Sequence, residues 1–217
     1  MTIRRAPRGA VVFDCDNTLV ATLGAWERAY TALFAGCGRV FDPAVHLGGL
    51  VGMPLEPLGR ALATLLDRPG EHTALSARMV ALLTANETRP MPYAVELIAA
   101  LHGTRPLAVV SNTPRVIVRH YLTAVGLAQA FDAVLGCDDV AAPKPAPDVY
   151  RAACAILGVD PADAVAVEDC PSGLAAATRA GLFVVRVGAT AVPADLAVAN
   201  LGDPTLWRAL GVPTAQS

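Results

Sequence analysis

The chain has 217 residues, 54% hydrophobic and 17% charged, with a mean hydropathy of +0.46. This is enough apolar material for a sizeable core, and it excludes the disorder that comes with low hydrophobicity and high charge. The formal net charge is −2, and the Arg4, Arg5, Arg8 cluster is the largest basic block, so no electrostatic footprint for nucleic acid or a membrane surface is present.

In chain order, the apolar run at residues 10–13 predicts a buried strand. Residues 21–90 then offer helices at 23–35, 55–66 and 71–85 and no convincing strand. Between the first two lies the glycine-rich piece His46-Leu47-Gly48-Gly49-Leu50-Val51-Gly52-Met53-Pro54. From residue 92 onward, helices at 92–101, 114–125, 147–157 and 172–180 alternate with apolar strands at 107–110, 133–135, 164–167 and 183–187. Gly103, Gly126, Gly158 and Gly181 stand just past the helix ends, where a left-handed cap residue belongs. Residues 192–217 are expected to make one or two short helices. The reading is an α/β fold, a doubly wound parallel sheet formed by residues 1–20 and 91–217, with a small all-helical insertion at 21–90. In such sheets the ligand site lies beyond the carboxyl ends of the strands.

No apolar stretch approaches the ~18 residues that span a bilayer, and residues 1–7 carry no signal-peptide run. The five cysteines (15, 37, 137, 154 and 170) are odd in number and lack C-x-x-C spacing, so they read as small fillers in a reducing compartment. A cytoplasmic protein is expected, with no membrane partner and no nucleic-acid partner, as a monomer or weak homodimer.

Four polar clusters follow predicted strands. After the first come Asp14 and Asp16, two carboxylates that extended chain projects to one side. They read as an acidic turn, or as a Mg²⁺ site with one carboxylate free for attack. After the second come Ser111, Asn112 and Thr113 before Pro114, a helix N-cap or a phosphate cradle. After the third comes Lys144, the only lysine in the chain, set between prolines that restrict its backbone. A rigidly held ammonium suits a clamp on an anion. After the fourth come Glu168 and Asp169, a charge for a helix start or a metal-binding pair. Together the clusters supply a nucleophile, a second carboxylate, a hydroxyl, an ammonium and a metal-binding pair at one sheet edge.

The motifs D-C-D-N-T-L (14–19), V-V-S-N-T (109–113), K-P-A-P-D (144–148) and V-E-D-C-P-S-G-L-A-A-A-T-R-A-G (167–181) resemble the haloacid dehalogenase superfamily, in its phosphatase branch with a small helical cap. The resemblance implies that Asp14 attacks phosphorus and becomes an aspartyl phosphate. It implies that Asp16 is the general acid and base, that Ser111 holds phosphoryl oxygens, and that Lys144 screens charge. It implies Mg²⁺ on Asp14, the Asp16 carbonyl and Asp169, with Glu168 as an outer ligand. Asn112 and Thr18, with Gly49, Gly52, Trp26 and Arg28 of the cap, are the candidates for holding the phosphate and the rest of the substrate. Tyr30 is a further cap candidate, although Trp26 and Tyr30 at helical spacing also suit cap core.

Within that family, Asp16 and Asp169 argue against a metal-free dehalogenase. The absence of lysine from 21–90 closes the phosphonatase reading. The cap histidine of β-phosphoglucomutase-like mutases would fall on Trp26, which weakens the mutase alternative. What remains is Mg²⁺-dependent hydrolysis of a small phosphomonoester, such as phosphoglycolate or a sugar phosphate. The other alternative is a catalytically silent binder of a phosphometabolite.

Overall fold

A computed structural model describes residues 6–50 and 53–213. The chain opens with β1 (Ala10–Asp14) and the two-residue β2 (Val20–Ala21), then four helices: α1 (Leu23–Gly36), α2 (Pro43–His46), α3 (Leu55–Leu65) and α4 (His72–Ala85). It continues with β3 (Arg89–Pro90), α5 (Ala94–Leu101), β4 (Leu107–Val110), α6 (Arg115–Ala124), β5 (Ala133–Leu135) and α7 (Asp148–Leu157). The last elements are β6 (Ala164–Glu168), α8 (Pro171–Ala180), β7 (Phe183–Val187), β8 (Leu196–Val198) and α9 (Pro204–Leu210).

Six strands form one parallel sheet in the order β5-β4-β1-β6-β7-β8. Apart from the β2–β3 ribbon, the chain fills this sheet outward from β1 on one side and then the other. That is the doubly wound order whose crevice opens at the carboxyl ends of the central strands. Helices cover both faces, which explains the unbroken apolar runs. Val11 and Phe13 of β1 join one buried cluster, Ala10 and Val12 the other, and all four are fully buried. Alternation along the strand therefore serves two cores, each fully buried large side chain contributing about 1.5–3 kcal/mol.

The first cluster runs from the sheet into the insertion, through Tyr30, Leu33, Leu58, Leu62, Met79 and Leu83. The chain enters and leaves the insertion side by side, because β2 pairs antiparallel with β3 and Met91 N–H donates to the Leu19 carbonyl at 2.8 Å. These two pairs are strand structure where none was expected, too short for a period-2 pattern to register. The described part of the tail holds the expected short helix, α9, and adds a strand, β8, paired with β7. Three residues with only Val198 buried carry no sequence signal for a strand, and the sheet edge supplies the pairing. Gly103, Gly126, Gly158 and Gly181 all take positive φ, as their places past helix ends require. Among the described residues no helix is long and apolar enough to cross a membrane.

Candidate active site

The three central strands deliver their carboxyl ends to one cavity. Asp14, Asp16, Ser111, Asn112, Lys144, Asp169 and Trp26 all line it, so seven of the sequence-derived site residues converge. Asn17, which follows Asp16, takes φ +59, a left-handed turn that asparagine tolerates. Its side-chain oxygen accepts from the N–H groups of Thr22 and Leu23 at 3.2 and 3.0 Å, holding the start of α1 against the acidic turn.

Lys144 lies in the loop between β5 and α7 and is 5% exposed. Its Nζ donates to Asp14 Oδ1 at 2.7 Å, Glu168 Oε1 at 2.6 Å and the Val110 carbonyl at 3.2 Å. The Asn112 side chain grips the lysine's backbone, accepting from its N–H at 2.9 Å and donating to its carbonyl at 3.0 Å. Burial opposes the ammonium, but Asp14 and Glu168 outweigh it and raise the lysine pKa, so Lys144 stays charged.

Asp16 is held from three directions. Its Oδ2 accepts from Ser111 Oγ at 2.7 Å and Thr113 Oγ1 at 3.0 Å, and its Oδ1 accepts from Trp26 Nε1 at 3.4 Å. Ser111 Oγ in turn accepts from the Thr113 N–H at 2.8 Å. The helix-cap alternative for these residues is not what forms, because the N-cap of α6 is Pro114, without a side-chain cap bond. Trp26 is not confined to packing: it reaches the cavity and touches Asp16.

Three expectations are corrected, and Glu168 takes a further role. Glu168 does not line the cavity. It is fully buried, its Oε1 accepts from Lys144 and from Tyr150 Oη at 2.7 Å, and its Oε2 lies 3.6 Å from the Cys170 thiol. It therefore serves as counter-ion to the lysine through Oε1. Arg28 turns away as well, bonding Asn86 Oδ1 at 3.0 Å and the Glu87 carbonyl at 3.1 Å, which ties α1 to the segment before β3. Thr18 is buried beneath the turn outside the lining, and Gly49 is exposed on the insertion's surface. Gly52 lies outside the described residues. The remaining lining residues include Leu50 and Met53 of the glycine-rich piece, Tyr30, Leu23 and Thr22.

Sequence reasoning missed Tyr150 and Gly173, and gave Thr113 only a place in the cap-or-cradle cluster. Thr113 stood in the S-N-T motif, and only the fold turns its hydroxyl onto Asp16. Gly173 lies so close to the Glu168 carboxylate that a Cβ would collide with it. Tyr150 was concealed as an apolar position of α7, two residues past the K-P-A-P-D motif.

The electrostatics mark a cation site. Three carboxylates, Asp14, Asp16 and Asp169, share the cavity with one ammonium. Burial first, then Glu168, pushes Asp14 well above the ordinary carboxyl range and Asp169 up to about 7. Asp14 Oδ2 is buried without a hydrogen-bond partner. An orphaned carboxylate oxygen beside further carboxylates suits a hard divalent cation bound through oxygen. Glu168, Asp169 and Cys170 bring a ligand atom each within 4.8 Å of one another. The Cys170 thiol, pushed up to about 12 by burial and then by Glu168, stays protonated and is a poor ligand.

Comparison with known proteins agrees with this geometry. The model of the haloacid dehalogenase-like hydrolase family matches residues 9–181. The chain is 34% identical to validoxylamine A 7'-phosphate phosphatase of Streptomyces hygroscopicus subsp. limoneus, over 88% of this chain and 90% of that one. It is 29% identical to fructose-1-phosphate phosphatase YqaB of Escherichia coli, covering 82% and 95% of the two chains. Among solved structures, CbbY from Rhodobacter sphaeroides in complex with phosphate superposes with a TM-score of 0.78 at 27% identity, over 89% of this chain and 94% of that one. With a family match from β1 to the end of α8 and relatives that are phosphatases, this chain belongs to the haloacid dehalogenase-like hydrolase family, as a phosphoric monoester hydrolase.

Proposed function

We propose that the chain hydrolyses a small phosphomonoester of the sugar-phosphate or phosphoglycolate type through an aspartyl-phosphate intermediate on Asp14. The observation that carries this reading is the ion-paired Asp14 beside the hydrogen-bonded Asp16 in one cavity. Asp14 attacks phosphorus, and Lys144 offsets the repulsion between that carboxylate and the phosphate, worth about 4 kcal/mol per pair at 4 Å for an effective dielectric of 20. Asp16, oriented by Ser111 and Thr113, protonates the leaving oxygen and then takes a proton from the hydrolytic water. Ser111 and the neighbouring N–H groups are placed to hold phosphoryl oxygens. Asn112 positions Lys144 through its backbone.

Hydrolases of this superfamily generally use a divalent cation, and Mg²⁺ is the ion proposed here. Asp14, Asp169 and the Asp16 carbonyl would hold it, and when bound it neutralises charge that builds on the phosphoryl group. The helices of residues 21–90 act as a cap domain over the core formed by 1–20 and 91–217, and the protein works in the cytoplasm as a monomer or weak homodimer. Hydrolysis is favoured over phosphosugar mutation because the described lining contains no histidine, and the sequence position where the family resemblance puts a mutase's histidine is Trp26. A silent binder is disfavoured because Asp14, Asp16 and Asp169 are all present.

The test is phosphate release from a panel of sugar phosphates, phosphoglycolate, nucleoside monophosphates and an aryl phosphate, with Mg²⁺ and then with EDTA. Metal-dependent turnover is expected. A folded protein that binds Mg²⁺ and releases no phosphate from any ester would overturn the reading.

A further inference from the structure

The cavity has two chemically different walls. The core wall carries all of its charge: Asp14, Asp16, Lys144 and Asp169. The wall contributed by residues 22–53 carries none among the described residues, and consists of Thr22, Leu23, Trp26, Tyr30, Leu50 and Met53. Its aromatic part is stiffly backed. Trp26 and Tyr30 lie 5.8 Å apart between ring centres, and Tyr30 stacks on Phe41 at 5.2 Å and 27°. Its polar groups are turned to the protein: Trp26 Nε1 donates to Asp16, the Tyr30 hydroxyl donates to the Leu50 carbonyl at 3.5 Å, and Thr22 Oγ1 is fully buried.

Resting on the phosphatase reading, we propose that this wall selects a leaving group that is an uncharged polyol with an apolar ring face, and refuses one bearing a carboxylate or second phosphate. The single cation in the lining is already paired with Asp14 and Glu168, so a second anion on the substrate would meet no partner. It would also be desolvated against indole, phenol and aliphatic surface, in a cavity with three carboxylates. The C–H face of a sugar or cyclitol ring gains from the same surface by stacking. Trp26 is thus a specificity-determining residue, and phosphoglycolate falls outside the range.

Matched pairs test this with Mg²⁺ present: fructose 1-phosphate against fructose 1,6-bisphosphate, and glucose 1-phosphate against glucuronic acid 1-phosphate. The kcat/KM of the neutral member should exceed that of its anionic partner by more than about tenfold, since an unpaired like charge costs several times thermal energy. Leu23, 44% exposed on the first turn of α1, accepts Arg without disturbing the core. Leu23→Arg should narrow the ratio about tenfold by giving the second anion a partner. Equal or faster release from the anionic members, or a ratio that Leu23→Arg leaves unmoved, would overturn the inference while leaving the phosphatase reading intact. No phosphate from any member, nor from an aryl phosphate, would overturn both.

Discussion

Replacing Lys144 by Met separates the electrostatic from the packing role of the only lysine in the chain. The side chain is 2% exposed, and its two carboxylate partners are 7% and 0% exposed, so water does not screen the pairs. The substitution keeps the length of the stem and leaves Asp14 and Glu168 as buried carboxylates without a counter-charge. Breaking a buried pair in this way costs about 3–5 kcal/mol, a large share of the ~5–15 kcal/mol that holds a typical domain folded. The loss should depend on pH with a definite sign. Without the ammonium, the Asp14 carboxyl, already raised by burial, keeps a proton in the native state that the unfolded chain releases above about pH 4. Native protein then binds more protons than unfolded protein, so the variant loses stability as pH rises. Urea denaturation at pH 5 and pH 8 should show the larger deficit at pH 8. Adding Glu168→Gln should recover part of it, because one orphaned charge is gone. A deficit below about 1 kcal/mol at pH 8 would place the lysine with exposed ion pairs and refute this reasoning. Phosphate release should fall at least about a hundredfold, the scale of removing one group that stabilises transition-state charge.

Asp14→Asn should abolish phosphate release while leaving the circular dichroism spectrum unchanged; more than a few per cent of residual turnover would contradict its role as nucleophile. In EDTA, the wild-type protein should lose stability as pH rises from about 4 to 7, because Asp169 holds its proton up to about 7 when folded against 3.8 ordinarily. Mg²⁺ should bind more tightly as pH rises through the same window and reverse the loss, and a pH-independent affinity measured by calorimetry would refute this. Gly173→Ala should destabilise by about 1–3 kcal/mol through overpacking against Glu168, with an unchanged urea midpoint as the contrary result. Tyr150→Phe removes the phenol that donates to Glu168 at 2.7 Å and should cost about 1.5–3 kcal/mol, which thermal denaturation would detect.

Residues 10–14 show why much of this fold was legible in the chain. A run of apolar residues ending abruptly in Asp14 signals a strand buried on both faces and a polar edge at its carboxyl end, because one strand has one direction and one period. The glycines after α5, α6, α7 and α8 are as local, since a left-handed cap depends on backbone sterics within a single turn. The four polar clusters could be read for the same reason: each is a short motif next to a strong strand signal. The partners of those motifs are a different matter. Glu168 and Asp169 are neighbours in sequence, yet one is buried against Lys144 and Tyr150 while the other lines the cavity, as alternation along extended chain throws adjacent side chains to opposite sides. Arg28 and Trp26 lie on the same turn of α1, and only the packing of α1 against the core and the 86–87 segment decides that the indole reaches Asp16 while the guanidinium does not. The β8 strand exists because β7 presents an unpaired edge. The sequence by itself thus determined the parallel strands, the run of helices that follows the first of them and the residues at the strand ends, all of which leave patterns legible within a few residues. Which carboxylate faces the cavity, which neutralises the lysine, and which helix residues line the cavity were decided by tertiary structure alone, because burial and charge pairing link residues that lie far apart in the chain.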